Sequence, residues 1–288
     1  MLFSANFINT MSTINQVYQI KSLDAFFSQH AVFTVDEFKE FLSKHQTTNT
    51  NTRKSLLTYH RTHGRIISIR RGLYAVIPKG SNPDTHPVDP YLIAAKITKD
   101  AVLAYHTALE FHGKAYSIYN KIIYTSPVKS TPLRFRTSEF TRTPIPHSLI
   151  GKQATMVGVI SHNRSGVDIL VTNLERTFVD TLDRPEVSGS WEEIWRSLES
   201  IEFFDLDQVY EYVNLLDNAT TSSKVGFFLE QHQESLMVEN RYLEQLQKMK
   251  PKQPHYLNRS DRKDCRLFTQ WNLLIPEKII NRSWSEVL

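Results

Sequence analysis

Residues 50–76 read TNTRKSLLTYHRTHGRIISIRRGLYAV, with five arginines, one lysine, two histidines and no acid. Placed on a helix at about 100° per residue, residues 51–63 separate into two faces. Asn51, Lys54, Ser55, Thr58, Arg61 and Thr62 fall on one side. Leu56, Leu57 and His60 fall on the other, with Arg53 near that edge. The first face is short, polar and basic. Lysine and arginine neutralise phosphates, and Asn, Ser and Thr reach base edges. The second face suits packing on a small core, with His60 expected to be part-buried and hydrogen-bonded. Gly64 stands where a helix C-terminal cap belongs. RIISIR (65–70) and LYAVI (73–77) follow as two strands joined at Arg71-Gly72. The hairpin is expected to set Arg65, Arg70 and Arg71 beside the helical face, where a narrow minor groove attracts arginine.

Two helical patterns precede this stretch. SLDAFFSQH (22–30) puts Leu23, Phe26 and Phe27 on one face. In VFTVDEFKEFLSKH (32–45), Thr34 followed by Glu37 is the spacing of a capping box. Val35, Phe38, Phe41 and Leu42 then keep the helical period. Three short helices and a hairpin are the order of a winged helix-turn-helix, expected over 16–80. The proline-rich stretch that follows reads as a linker centred on 81–88. Asp89-Pro90 has the form of an N-cap with proline at the first helical position.

Beyond the linker the pattern becomes mixed. Helices are expected at 90–99 and 106–113, and strands at 101–105, 121–126, 133–137, 154–161 and 167–172. Helices at 174–182, 191–200, 206–216 and 222–249 make the later half helical, before a mixed tail from 255. The fold class is α+β: a winged helix-turn-helix and a larger mixed α/β domain over 89–288.

The chain has 288 residues, enough for two domains, and is 40% hydrophobic. A single cysteine, Cys265, excludes a disulfide framework and suits a reducing cytoplasm. No apolar run approaches the ~18 residues of a membrane helix. MLFSANFINTM lacks a basic n-region and an apolar h-region, so no signal peptide is expected. Met11 offers a second start, and 1–14 reads as a loose tail.

Net charge is +4 but comes in blocks. Residues 1–83 hold ten bases and four acids, with no acid between Glu40 and Asp84. Residues 114–176 carry nine bases and three acids, and 177–249 five bases and fifteen acids. Blocks of like charge speak of partners more than of fold. The acid-free block points to duplex DNA.

Other constellations carry less chemistry. His106 and Glu110, four apart, offer two metal ligands without a third, so no metal is expected. The plainer reading sets His106 at a helix start and Glu110 on a solvated face. Arg176 and Asp180 are spaced as a structural helix pair. Asp168 and Glu175 invite a nuclease reading, but the Glu-x-Lys that often accompanies such acids is absent. No hydrolase, zinc-protease or phosphate-loop motif is present. The expectation is a protein without enzymatic activity or cofactor.

HGRIISIRRGLYAV, LAYHTALEFHG, VTNLERTFVDTLDRPEVSGSW and WNLLIPEK, in that order, resemble the AbiEi antitoxins of bacterial AbiE toxin–antitoxin and phage-defence systems, over about 32–288. The resemblance implies a transcriptional regulator with an N-terminal winged helix and a C-terminal antitoxin domain. It implies repression of the regulator's own promoter through inverted repeats, and antagonism of a co-encoded nucleotidyltransferase toxin, with direct contact left open. The DNA-contacting residues read from the sequence are Asn51, Arg53, Lys54, Ser55, Thr58, Arg61, Arg65, Arg70 and Arg71. Two alternatives stand beside this: a DNA-targeted nuclease whose catalytic domain is C-terminal, and a ligand-sensing regulator without a toxin.

Overall fold

A computed structural model describes residues 23–44, 49–259 and 262–286. The expected loose tail, the second start at Met11 and the first residues of the expected DNA-binding domain lie outside them. The chain forms two compact units, residues 1–99 with 162–169, and residues 100–161 with 170–288.

The first unit opens with α1 (23–29). There follow β1 (Val32–Thr34), α2 (Val35–Lys44), α3 (Thr50–Thr62), β2 (Ile66–Arg70), β3 (Leu73–Val76) and α4 (Pro90–Ile97). The capping box closes as its spacing requires. Thr34 N donates to Glu37 Oε2 at 2.8 Å, and Glu37 N donates to Thr34 Oγ1 at 3.2 Å. Asn49 caps α3 through Asn51 N. Gly64, at φ +67°, turns the chain out of α3, a conformation that favours glycine. The three strands form an antiparallel sheet in the order β1-β3-β2. Leu23, Phe26, Phe27, Phe33, Phe38, Leu42 and Leu57 make the core against Ile66 and Val76. Those from the helices are the positions that the helical period singles out.

This unit does not end at the proline-rich stretch. Asp89 caps α4 as expected, but α4 groups with the residues before it rather than with those after. Two side chains account for that. Lys96 Nζ pairs with Glu37, and Arg70 donates to the Ile97 carbonyl at the end of α4.

The second unit is built on β4 (Val102–Leu103), α5 (His106–Phe111), β5 (Lys121–Thr125), β6 (Leu133–Phe135), β7 (Ser138–Thr143), α6 (His147–Gly151), β8 (Val159–Arg164) and β9 (Val167–Thr172). These strands form one mixed sheet in the order β6-β7-β5-β4-β9-β8. Its β8–β9 tip, 162–169, groups with the first unit. β7, from the polar segment SEFTRT, runs parallel to β5 inside the sheet. Next come α7 (Leu174–Asp183), α8 (Trp191–Glu199), α9 (Leu206–Leu216), α10 (Ala219–Gln231) and α11 (Asn240–Lys248). The helix expected over 222–249 is therefore two helices, broken where Met237 takes φ +50°. The strand expected at 154–161 begins only at Val159. Before it, the chain turns at Gly158, φ +66°, where a Cβ would sit 2.8 Å from that of Arg176. A small sheet closes the unit: β10 (His255–Tyr256) parallel and β11 (Cys265–Phe268) antiparallel to β12 (Leu273–Pro276), followed by α12 (Glu277–Ile280). The core is aromatic, with Phe178, Trp195, Phe204, Tyr212, Phe228 and Trp271 all buried.

Candidate nucleic-acid interface

Helix α3 is amphipathic in the way its sequence prescribes. Leu57 is buried and Leu56 half-buried against the aromatic core. Asn51, Lys54, Ser55, Thr58 and Arg61 are exposed, and Arg53 is half-exposed. The first turn holds no acid, so the positive end of the helix dipole is not offset there. The result is a surface of two or three cations interleaved with short hydrogen-bonding side chains on one rigid helix. Tyr59, 55% exposed, stands beside it with its ring 4.0 Å from that of His63. It is not among the contacts expected from the sequence, although a large exposed aromatic within a basic helix is itself a signal of recognition.

His60 is half-buried, edge-on to the Phe27 ring at 4.9 Å. Burial, with help from the Arg65 charge, holds its pKa below the ordinary histidine value. It remains neutral near pH 7 and adds no charge to the face.

The three hairpin arginines have different fates. Arg71 sits at the β2–β3 turn and is exposed. Beside it Gly72, at φ +83°, accepts a hydrogen bond from Val35 N at 2.9 Å. Arg65 is turned inward. Its Nη1 donates to Ile77 O at 2.6 Å, its Nη2 lies 3.6 Å from Asp24, and its guanidinium covers the Phe27 ring. Lys79, bonded to Asp24 at 2.8 Å, and Arg65 together keep that carboxyl below its usual range. Arg70 is half-buried and held by the Ile97 carbonyl. Of the three arginines expected beside α3, Arg71 alone is exposed. Arg65 and Arg70 bind their own unit, because guanidinium groups next to carbonyls at strand and helix ends satisfy both partners.

The remaining constellations are structural in geometry. His106 is buried, with Nε2 3.0 Å from Glu193 Oε1 and Nδ1 3.0 Å from Glu110 Oε1, the latter poorly aimed for a hydrogen bond. Its ring stacks on Tyr119 at 4.0 Å. Glu110 is not solvated as expected. It is buried and accepts from Tyr119 N at 2.7 Å. Burial opposes ionisation of Glu193, but hydrogen bonds from Ser117 and the His106 contact outweigh it and lower its pKa. Arg176 and Asp180 are paired inside the unit at 3.3 Å. Asp168 accepts from Asn163 and Glu175 from Asp205 N. Cys265, the single cysteine, is half-exposed, and its thiol donates to Lys263 O at 3.5 Å. Among the described residues no three His, Cys, Asp or Glu side chains are arranged to hold a metal, and no helix is long and apolar enough to cross a membrane.

No protein-family model and no curated protein matches the chain. Among solved structures it is similar to the crystal structure of the RV2827C protein from Mycobacterium tuberculosis, with a TM-score of 0.57 and 15% sequence identity, over 89% of this chain and 90% of that one. At that identity the likeness concerns the fold alone. It supports the mixed arrangement of helices and several sheets described above.

Proposed function

We infer that the protein is a DNA-binding transcriptional regulator whose first unit is a winged helix-turn-helix, and that it doubles as an antitoxin of the AbiEi kind. The observation that carries the DNA reading is the acid-free, exposed face of α3. The order α1-β1-α2-α3-β2-β3 with sheet order β1-β3-β2 supports assigning α3 as the recognition helix and β2–β3 as the wing. In that assignment α3 enters the major groove. Lys54 and Arg61 neutralise phosphate or read a guanine edge, Asn51, Ser55 and Thr58 reach base edges, and Arg71 touches the backbone from the wing. Arg65 and Arg70 hold the wing in place and act through fold alone.

The four stretches that resemble AbiEi antitoxins support repression of the protein's own promoter and antagonism of a co-encoded nucleotidyltransferase toxin. The acidic block 177–249, which spans most of α7 and all of α8 to α11, suits an interaction with a basic partner. Fluorescence anisotropy on the promoter DNA tests the first part. Arg61→Ala should cost about 1–3 kcal/mol on the operator and less on random DNA. Equal loss on both makes Arg61 a phosphate contact, and no loss on either removes α3 as the reading helix.

A further inference from the structure

The second unit contains a cavity that neither DNA recognition nor the sheet requires. It has a volume of about 900 Å³ and opens between the end of α7, the start of α8, the first turns of α10 and the segment after β10. That volume is within the ~300–1,000 Å³ of small-molecule sites. Its cations are Arg184, Lys224, Arg259 and Lys278, and its rings are Trp191, Tyr256 and Trp284.

Lys224 is the unusual member. It sits on α10 at 7% exposure. Its Nζ donates to the Leu182 carbonyl at 2.9 Å and lies 5.9 Å from the Trp191 ring centre. Among the described residues no carboxylate lies within ion-pair distance of it. A buried ammonium without a counter-ion is expensive, and Lys224 has N–H groups left to donate. The nearby acids do not remove the excess charge. Asp183 is taken by Asn218, Thr221 and Arg184, and Glu192 pairs with Arg196 at 3.0 Å. Setting those pairs aside leaves Lys224 and Arg259 against Glu186. Lys224 is one of five bases among fifteen acids in 177–249, and Arg259 reaches the recess from the tail beyond that stretch.

We propose that this cavity binds a nucleoside phosphate, with the phosphates on Lys224 and Arg259 and the planar base against the Trp191, Tyr256 and Trp284 walls. Cations favour the phosphates through charge-assisted hydrogen bonds, and aromatic side chains accept any base face by stacking. The reading is independent of whether the first unit binds DNA.

The test is equilibrium dialysis of the full chain against ATP, GTP, adenosine and tripolyphosphate. Both triphosphates should be retained, with adenosine and tripolyphosphate each weaker by about tenfold or more, a difference of ~1.4 kcal/mol. Arg259→Glu, at the cavity rim, should weaken ATP about tenfold while leaving the circular dichroism and thermal unfolding unchanged. In the unaltered protein, acetylation of Lys224 by acetic anhydride, followed by mass spectrometry, should slow about tenfold in saturating ATP. No retention of either triphosphate at about 1 mM overturns the proposal. So does tripolyphosphate bound as tightly as ATP, an Arg259→Glu protein that binds ATP unchanged, or Lys224 acetylation indifferent to ATP.

Discussion

Replacing Arg176 by methionine removes a guanidinium that holds three parts of the second unit together. The side chain is 1% exposed. Its Nη1 donates to Thr155 O at 2.8 Å and Val157 O at 2.7 Å, its Nε lies 3.3 Å from Asp180 Oδ2, and it covers the Tyr212 ring at 5.1 Å. Asp180 keeps one partner, the Tyr212 hydroxyl at 2.7 Å. Breaking a buried ion pair from one side costs about 3–5 kcal/mol, since the other charge is left uncompensated. For a domain of this size that is a fall in Tm of about 2–4 °C per kcal/mol, or roughly 6–20 °C. The double variant Arg176→Met/Asp180→Leu should lose less than the two single losses added, because no buried charge is left behind.

The pH dependence sharpens the test. Burial already raises the Asp180 carboxyl above its free value of 3.8, against the pull of Arg176 and Tyr212. Without Arg176 it rises further. An acid whose folded pKa is raised destabilises only above its unfolded pKa, so the loss in Arg176→Met should be smallest near pH 4 and grow as pH rises. Thermal unfolding followed by circular dichroism between pH 4 and 8 measures both effects. A loss below about 1 kcal/mol, or strictly additive single and double variants, would refute the buried-pair argument.

Two further perturbations have signs fixed by the structure. Burial lowers the Lys224 pKa from 10.5 to about 8, so its burial cost is full below pH 8 and is relieved as pH rises toward 10.5. Lys224→Met should therefore stabilise the apo protein at pH 7 by up to about 3 kcal/mol, with the gain gone near pH 10.5, as read by urea unfolding; a pH-independent difference contradicts this. Gly226→Ala places a Cβ 2.1 Å from the Trp271 ring, so it should destabilise the second unit by about 1–3 kcal/mol and shift its tryptophan emission; unchanged unfolding would show that Trp271 repacks freely.

Local signals were legible where they depend on a few neighbouring residues. Thr34 and Glu37, Asp89-Pro90, Gly64 and the Leu56/Leu57 face of α3 all follow from capping chemistry and the helical period. What could not be read depends on partners far along the chain. Glu110 looks solvated on its helix, yet it is buried between His106 and the backbone N–H of Tyr119. Arg65 and Arg70 look free, yet the carbonyls of Ile77 and Ile97 claim them. In β7 only Phe140 and Thr143 are buried and the other four residues are half-buried, so SEFTRT carries no strand alternation. The break between α10 and α11 has neither proline nor glycine to announce it. It coincides with His232, held between the Phe228 carbonyl and Glu199. The cavity around Lys224 joins residues from 183 to 284 and leaves no local pattern.

The proposed binding of duplex DNA by α3 and the β2–β3 turn has a direct signature in its salt dependence. The affinity of the full chain for DNA upstream of its gene should fall steeply with salt, as counterions are released from neutralised phosphates. Lys54→Ala and Arg71→Ala should each reduce the slope of log K against log salt by about 1. Arg65→Lys and Arg70→Lys should leave that slope unchanged, because those side chains serve the fold. A salt-independent affinity, or a slope that responds to Arg65 and Arg70 but not to Lys54 and Arg71, would contradict the account.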